Sequence, residues 1–91
     1  MFLLISYDIA NNKRLPKVAK LMERYGERVQ YSVFECLLTP SQLAELQRKL
    51  RRLIDEQEDS VRFYRLCEDC RQDIIIIGDG EITQGDEYYI A

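Results

Sequence analysis

Apolar positions change their period several times along this chain, and each change marks an element. Phe2 to Tyr7 is an apolar run broken only by Ser6, which predicts a central strand covered on both faces. It ends on an acid, Asp8. The spacing then becomes helical, with Leu15, Val18, Ala19, Met22 and Tyr25 on one stripe. Asn11 or Asn12 is the candidate cap, Pro16 lies in the first turn and Gly26 is the stop. After the glycine, RVQYSVFECLL is rich in β-branched and aromatic residues, but its alternation slips. Val29, Tyr31 and Val33 share one parity and Phe34, Cys36 and Leu38 the other, so a bulge, or a tight turn between two short strands, falls near Ser32. In TPSQ, Thr39 reads as a cap, Pro40 as the first helical residue and Gln42 as the reciprocal capping-box residue. Leu43, Leu46, Leu50, Leu53 and Ile54 mark the buried stripe of a second helix. Val61 to Leu66 is another strand candidate, and Asp73 to Ile77 a fifth, with four consecutive isoleucines.

With the slip read as two strands, the first six elements predict an α+β fold, a ferredoxin-like βαββαβ sandwich of one antiparallel sheet under two helices. DIIIIG is then a surplus strand. One reading makes it an edge strand of its own sheet. The favoured reading has it cross to a second copy and extend that copy's sheet, hiding edges in a twofold homodimer. The expected organisation is a single domain over residues 1–91, with the segment from about 73 to 91 packing on the partner subunit.

Ninety-one residues, 46% of them hydrophobic and nine aromatic, suffice for one core and fall below the length at which chains divide. No stretch approaches the roughly 18 consecutive apolar residues of a membrane helix, and the start carries neither a basic n-region nor a small-residue cleavage site. A cytoplasmic protein without membrane association is expected. Three cysteines do not read as a secreted disulfide framework, which would leave one thiol over. The net charge of −3 is unevenly spread. Residues 1–65 carry twelve Lys/Arg against nine Asp/Glu, and residues 66–91 one against seven, so a mildly basic body precedes an acidic tail.

The absence of histidine excludes a Ser/His or Cys/His nucleophilic system and any imidazole base. Hydrolysis would then depend on a metal-bound water. Magnesium suits such chemistry, since it takes one or two carboxylates, keeps several waters and fills its remaining positions with phosphate. One Asp8 is a poor cage, but two copies facing each other across a twofold would supply both carboxylates. The alternative is that Asp8 caps the following turn. Cys67 and Cys70 form a CxxC without the further ligands a zinc site needs, so four thiolates could gather only by pairing two chains. A thioredoxin-like role is disfavoured because the motif does not open a helix after a strand in a βαβ unit, and incidental thiols or a local disulfide are the expectation, with Cys36 in the core.

The opening YDI with a basic residue a few positions later, the glycine and basic residue before QYSVFE, and the surplus C-terminal strand together resemble the CRISPR-associated protein 2 family. The similarity runs over nearly the whole chain and is strongest over residues 2–38. The resemblance implies a ferredoxin-like homodimer and a nuclease acting on RNA or DNA during spacer acquisition for antiviral defence. It implies magnesium or manganese held at Asp8, and a CRISPR integrase subunit as partner. By position, it implies catalytic roles for Asp8, Tyr7, Arg14, Arg28 and Phe34, with Ser32 beside the same cleft and Asn11 as a polar residue following the aspartate. A non-catalytic DNA-binding scaffold for the integrase, and a related ferredoxin-like toxin ribonuclease, are the competing functions.

The residues agree with a polyanion partner. Lys13, Lys17, Lys20 and Arg24 recur at helical spacing opposite the apolar stripe, and Arg48, Lys49, Arg51 and Arg52 form a second cluster. Most such stripes are solvated faces. Lys13, Arg14, Lys17, Arg28 and Ser32 are the expected nucleic-acid contacts, the arginines through bidentate grip on phosphate; Phe34 reads from its own pattern as core, unless the bulge beside it turns the ring outward.

Overall fold

The opening apolar run forms the central strand of a four-stranded antiparallel sheet. A computed structural model, which describes residues 1–80, arranges the chain as β1 (Phe2–Asp8), α1 (Leu15–Met22), β2 (Glu27–Gln30), β3 (Val33–Leu37), α2 (Pro40–Leu53), β4 (Ser60–Leu66) and α3 (Glu68–Gln72). Strand order is β2-β3-β1-β4, the ferredoxin-like arrangement expected from the element order. Alternation along β1 sends Leu3, Ile5 and Tyr7 into a core shared with Val18, Met22, Phe34, Cys36, Leu46 and Leu50. Both long helices therefore cover one face. Leu4 and Ser6 lie half-buried on the other face, and Asp8 continues their row at the exposed tip.

The slip between Arg28 and Val33 proves to be both of its readings. Two short strands are joined at Tyr31 and Ser32, and the register shifts between Arg28 and Gln30. The helix stop at Gly26 also has a tertiary cause. Tyr25 and Gly26 both donate their N–H groups to the Met22 carbonyl, at 2.9 and 3.1 Å, and the chain then runs against β3. A Cβ on Gly26 would overlap the Glu35 carbonyl oxygen and the Cys36 sulfur, so close approach demands glycine here. The capping box at α2 forms as the sequence predicts: Gln42 N–H donates to Thr39 Oγ1 at 3.1 Å and Thr39 N–H to Gln42 Oε1 at 2.9 Å.

The expected fifth strand is absent from the described protomer. A short helix, α3, follows β4, and the chain from Ile74 onward is irregular. Ile75 and Ile77 are 85% and 96% exposed. A strand is completed by hydrogen bonds to a neighbour, and the described part of this segment pairs with neither sheet edge. Ile75, Ile76 and Ile77 instead lie near the sheet face opposite the long helices, where with Leu4, Val29 and Val33 they line a cavity of about 770 Å³. Strand exchange with a second copy would need that copy, and residues 81–91 of the expected exchanged segment lie outside the described residues.

Candidate functional site

Asp8 stands where β1 leaves the sheet, opposite Ser60 of β4. Its carboxylate is exposed and makes no hydrogen bond or ion pair within the described residues. The turn that follows is capped by a different residue. Asn11 Oδ1 accepts from the N–H groups of Lys13 at 2.7 Å and Arg14 at 3.3 Å, an Asx turn that starts α1. Asp8 is thus left available to a ligand.

Tyr7 points the other way, into the core. Its ring stacks on Phe34 with centroids 6.2 Å apart, and its hydroxyl donates to the Tyr31 carbonyl at 3.4 Å. Burial raises the phenol pKa above its ordinary value, with Arg28 opposing the shift, so Tyr7 keeps its proton. The Tyr7 N–H donates to the Ser32 carbonyl at 3.1 Å, which ties the β2–β3 turn to the strand tip. Ser32 joins the site through its backbone. Phe34 is fully buried in the protomer, the core position its sequence pattern favours, and packs beneath the Arg28 guanidinium.

Arg28 covers this aromatic layer. Its guanidinium carbon lies 5.4 Å from the Phe34 centroid and 6.0 Å from that of Tyr31, while Glu23 is 3.9 Å away. The side chain is 40% exposed, so it retains a face toward solvent. Tyr31, whose ring is open to water, joins Tyr7, Lys20 and Arg28 around a cavity of about 450 Å³. No bond links Arg28 to Asp8: the guanidinium lies over the aromatic layer on the helix-covered face, whereas Asp8 continues the row of the opposite face. Lys13 and Lys17 are exposed on the α1 side.

Arg14 departs furthest from expectation. Its Nε donates to Asp59 Oδ2 at 2.9 Å, and its Nη2 to Asp59 Oδ1 at 3.2 Å and to Glu58 at 3.0 Å. The guanidinium that was to grip phosphate instead grips an acid whose side chain is wholly buried. Asp59 also accepts from the Ala10 N–H and the Asp55 N–H, each at 2.9 Å, so all its donors are protein groups. The Arg14 hydrogen bond, with help from those backbone donors and against the cost of burial, pulls its carboxyl down to about 2. Sequence reasoning missed Asp59 because it ends an acid-rich stretch, DEQED, in which nothing marks one acid from the next. Its partner lies 45 residues earlier.

Among the described residues no cluster of three or more His, Cys, Asp or Glu side chains could enclose a metal. Glu58 and Asp59 are held by Arg14, which leaves Asp8 as the available hard oxygen donor at the strand tip. One carboxylate fits magnesium or manganese as a partial ligand set, completed by waters and phosphate.

Fold and site define a ferredoxin-like α+β domain that presents at the end of its central strand an exposed acid with no partner among the described residues. The family model for CRISPR associated protein Cas2 matches residues 1–74, and the chain belongs to that family. It is 57% identical over 81 residues to the CRISPR-associated endoribonuclease Cas2 1 of Chloroflexus aurantiacus, covering 88% of this chain and 87% of the relative. Among solved structures, Streptococcus pyogenes Cas2 at pH 6.5 superposes with a TM-score of 0.75 at 42% identity, covering 86% of this chain and all of that one. A chain of a partial Cas6-RT-Cas1–Cas2 complex superposes with a TM-score of 0.72 at 35% identity, covering 84% of this chain and 89% of that one. No helix among the described residues is long and apolar enough to cross a membrane.

Proposed function

We propose that this chain is a metal-dependent endonuclease of CRISPR spacer acquisition, a cytoplasmic homodimer that hydrolyses phosphodiesters of RNA or DNA. The observation that carries the reading is the exposed Asp8 carboxylate at the tip of β1, unpaired among the described residues. The similar relative named an endoribonuclease supports it. Asp8, together with Asp8 of a second copy, would hold magnesium or manganese. When bound, the ion supplies an activated water and positive charge to the phosphate oxygens. Lys13, Lys17 and Arg28 are left to hold the nucleic-acid backbone, since Arg14 is taken up by Asp59. The Tyr7 phenol keeps its proton and ties down the Tyr31–Ser32 turn against which Arg28 packs.

A second reading, a DNA-binding scaffold for the integrase without chemistry of its own, is favoured by the likeness to a chain solved in a Cas1-containing complex. One experiment separates the two. Purified wild type and Asp8→Asn are assayed on RNA and duplex DNA with and without magnesium, and both are scored for spacer acquisition in cells. The nuclease reading expects metal-dependent cutting by wild type and background cutting by Asp8→Asn with an unchanged circular dichroism spectrum. Full cutting by Asp8→Asn, with contaminating nuclease excluded, overturns it. Acquisition that survives the loss of cutting assigns the cellular role to the scaffold.

A further inference from the structure

Cys67 and Cys70 lie apart from the Asp8 site. The β1–β4 register pairs Asp8 with Ser60 and Phe2 with Leu66, so Cys67, the next residue after β4, sits at the opposite end of the sheet. At about 3.4 Å per residue the separation is roughly 20 Å. Cys67 leaves the strand in an extended conformation and α3 begins at once, which brings the second thiol back over the first. The two sulfurs are 2.9 Å apart, and the Cys70 N–H donates to the Cys67 sulfur at 3.2 Å. Both residues are exposed and neither is disulfide-bonded. Among the described residues no third ligand joins them, so the pair offers no metal cage. Its remaining chemistry is that of a dithiol. Cys36 provides the contrast, since it is buried in the core and its thiol is pushed up to about 12 by desolvation.

We propose that Cys67 and Cys70 form a thiol–disulfide exchange site, a redox-modification site that reacts with low-molecular-weight disulfides of the glutathione type and closes to a Cys67–Cys70 disulfide. The Cys67 thiolate attacks one sulfur of the small disulfide, forming a mixed disulfide and expelling one thiolate. The Cys70 thiol, after losing its proton to solvent, attacks the Cys67 sulfur and expels the second thiolate. Two electrons pass from the protein dithiol to the small disulfide, which leaves as two thiols. The roles follow from the geometry: the Cys70 backbone N–H, donated to the Cys67 sulfur at 3.2 Å, and the contact between the two sulfurs hold Cys67 below the ordinary thiol range, while the same contact raises Cys70. Ring closure would staple the turn between β4 and the isoleucine run that begins at Ile74.

The test uses the full chain. Protein is equilibrated without air in glutathione mixtures from fully reduced to fully oxidised, quenched with acid, alkylated with a maleimide and mapped by peptide mass spectrometry. Cys67 and Cys70 are expected to lose alkylation together and to appear linked within one chain. Cys36 stays a thiol, and dithiothreitol restores the pair. Cys70→Ser should trap glutathione on Cys67, whereas Cys67→Ser should take up glutathione at Cys70 on the order of tenfold more slowly. The proposal is overturned if both cysteines remain alkylated in the most oxidised mixture, if only links between chains form, or if wild type retains glutathione without closing the ring. Equal uptake by the two serine variants would overturn the role given to Cys67.

Discussion

Asp59 shows how a single side chain can hold the approach to a site without touching it. Its two oxygens receive Ala10 N–H, Asp55 N–H and the Arg14 guanidinium, and Ala10 lies two residues beyond Asp8. The clamp thus sets where β1 ends and α1 begins. Because the folded-state pKa is depressed to about 2 from an ordinary 3.8, its stabilising contribution is complete above the ordinary value. It is lost as pH falls through that value toward about 2. Asp59→Asn replaces one acceptor oxygen with an amide NH₂ aimed at a donor, so the variant should unfold at lower urea than wild type at pH 7. The gap between the two should narrow as the pH is lowered from about 4 toward 2. Urea titrations at pH 7, 4 and 3 read this directly, and a gap independent of pH would refute the ionic account of the clamp. Asp8 was legible in the sequence, because an acid ending an apolar strand stands out. Asp59 was not, because its distinction is burial beside Arg14, a contact across 45 residues.

At the scale of elements, local signals and long-range ones fared differently. The α2 start is specified within four residues: Thr39 caps, Pro40 has no N–H to orphan, and Gln42 returns the bond. Thr39→Ala should therefore cost about 1 kcal/mol, read as a lower urea midpoint with an unchanged slope. No change in midpoint would mean that the cap is redundant with tertiary packing. The β2–β3 hairpin was announced by its parity slip, and the bulge it predicts is what carries Arg28 over Tyr31 and Phe34. The isoleucine run was read correctly as apolar and β-prone, yet it is irregular in the protomer. Strand propensity expresses itself only where a partner edge is in reach.

On the scale of the whole molecule, the sheet face opposite the long helices carries apolar side chains that neither long helix covers. Leu4 and Val33 are half-buried there, Tyr64 is 47% exposed, and Ile75–Ile77 line the cavity beside it. Apolar surface of this kind is what a second copy would cover, and the same face carries Asp8 at its rim. We expect static light scattering to return twice the 10.8 kDa protomer mass at micromolar concentration. Ile75→Asp with Ile77→Asp should shift the protein to monomer while leaving its circular dichroism intact, since neither side chain is buried in the protomer. A wild-type monomer would remove the dimer and, with it, the second Asp8 that the metal reading requires.

The sequence by itself determined the first six elements, their order and hence the ferredoxin-like sandwich, because hydrophobic period, caps and turn residues act over a few positions; it did not foresee α3 in place of a fifth strand. It also singled out Asp8 and the basic stripe of α1. Tertiary structure alone decided which of the marked side chains stay free. It buried Phe34, tied Arg14 to Asp59, faced Tyr7 inward and left Asp8 without a partner among the described residues. The physical reason is that burial and ion pairing depend on residues distant in the chain, and a linear pattern carries no record of which of them will meet.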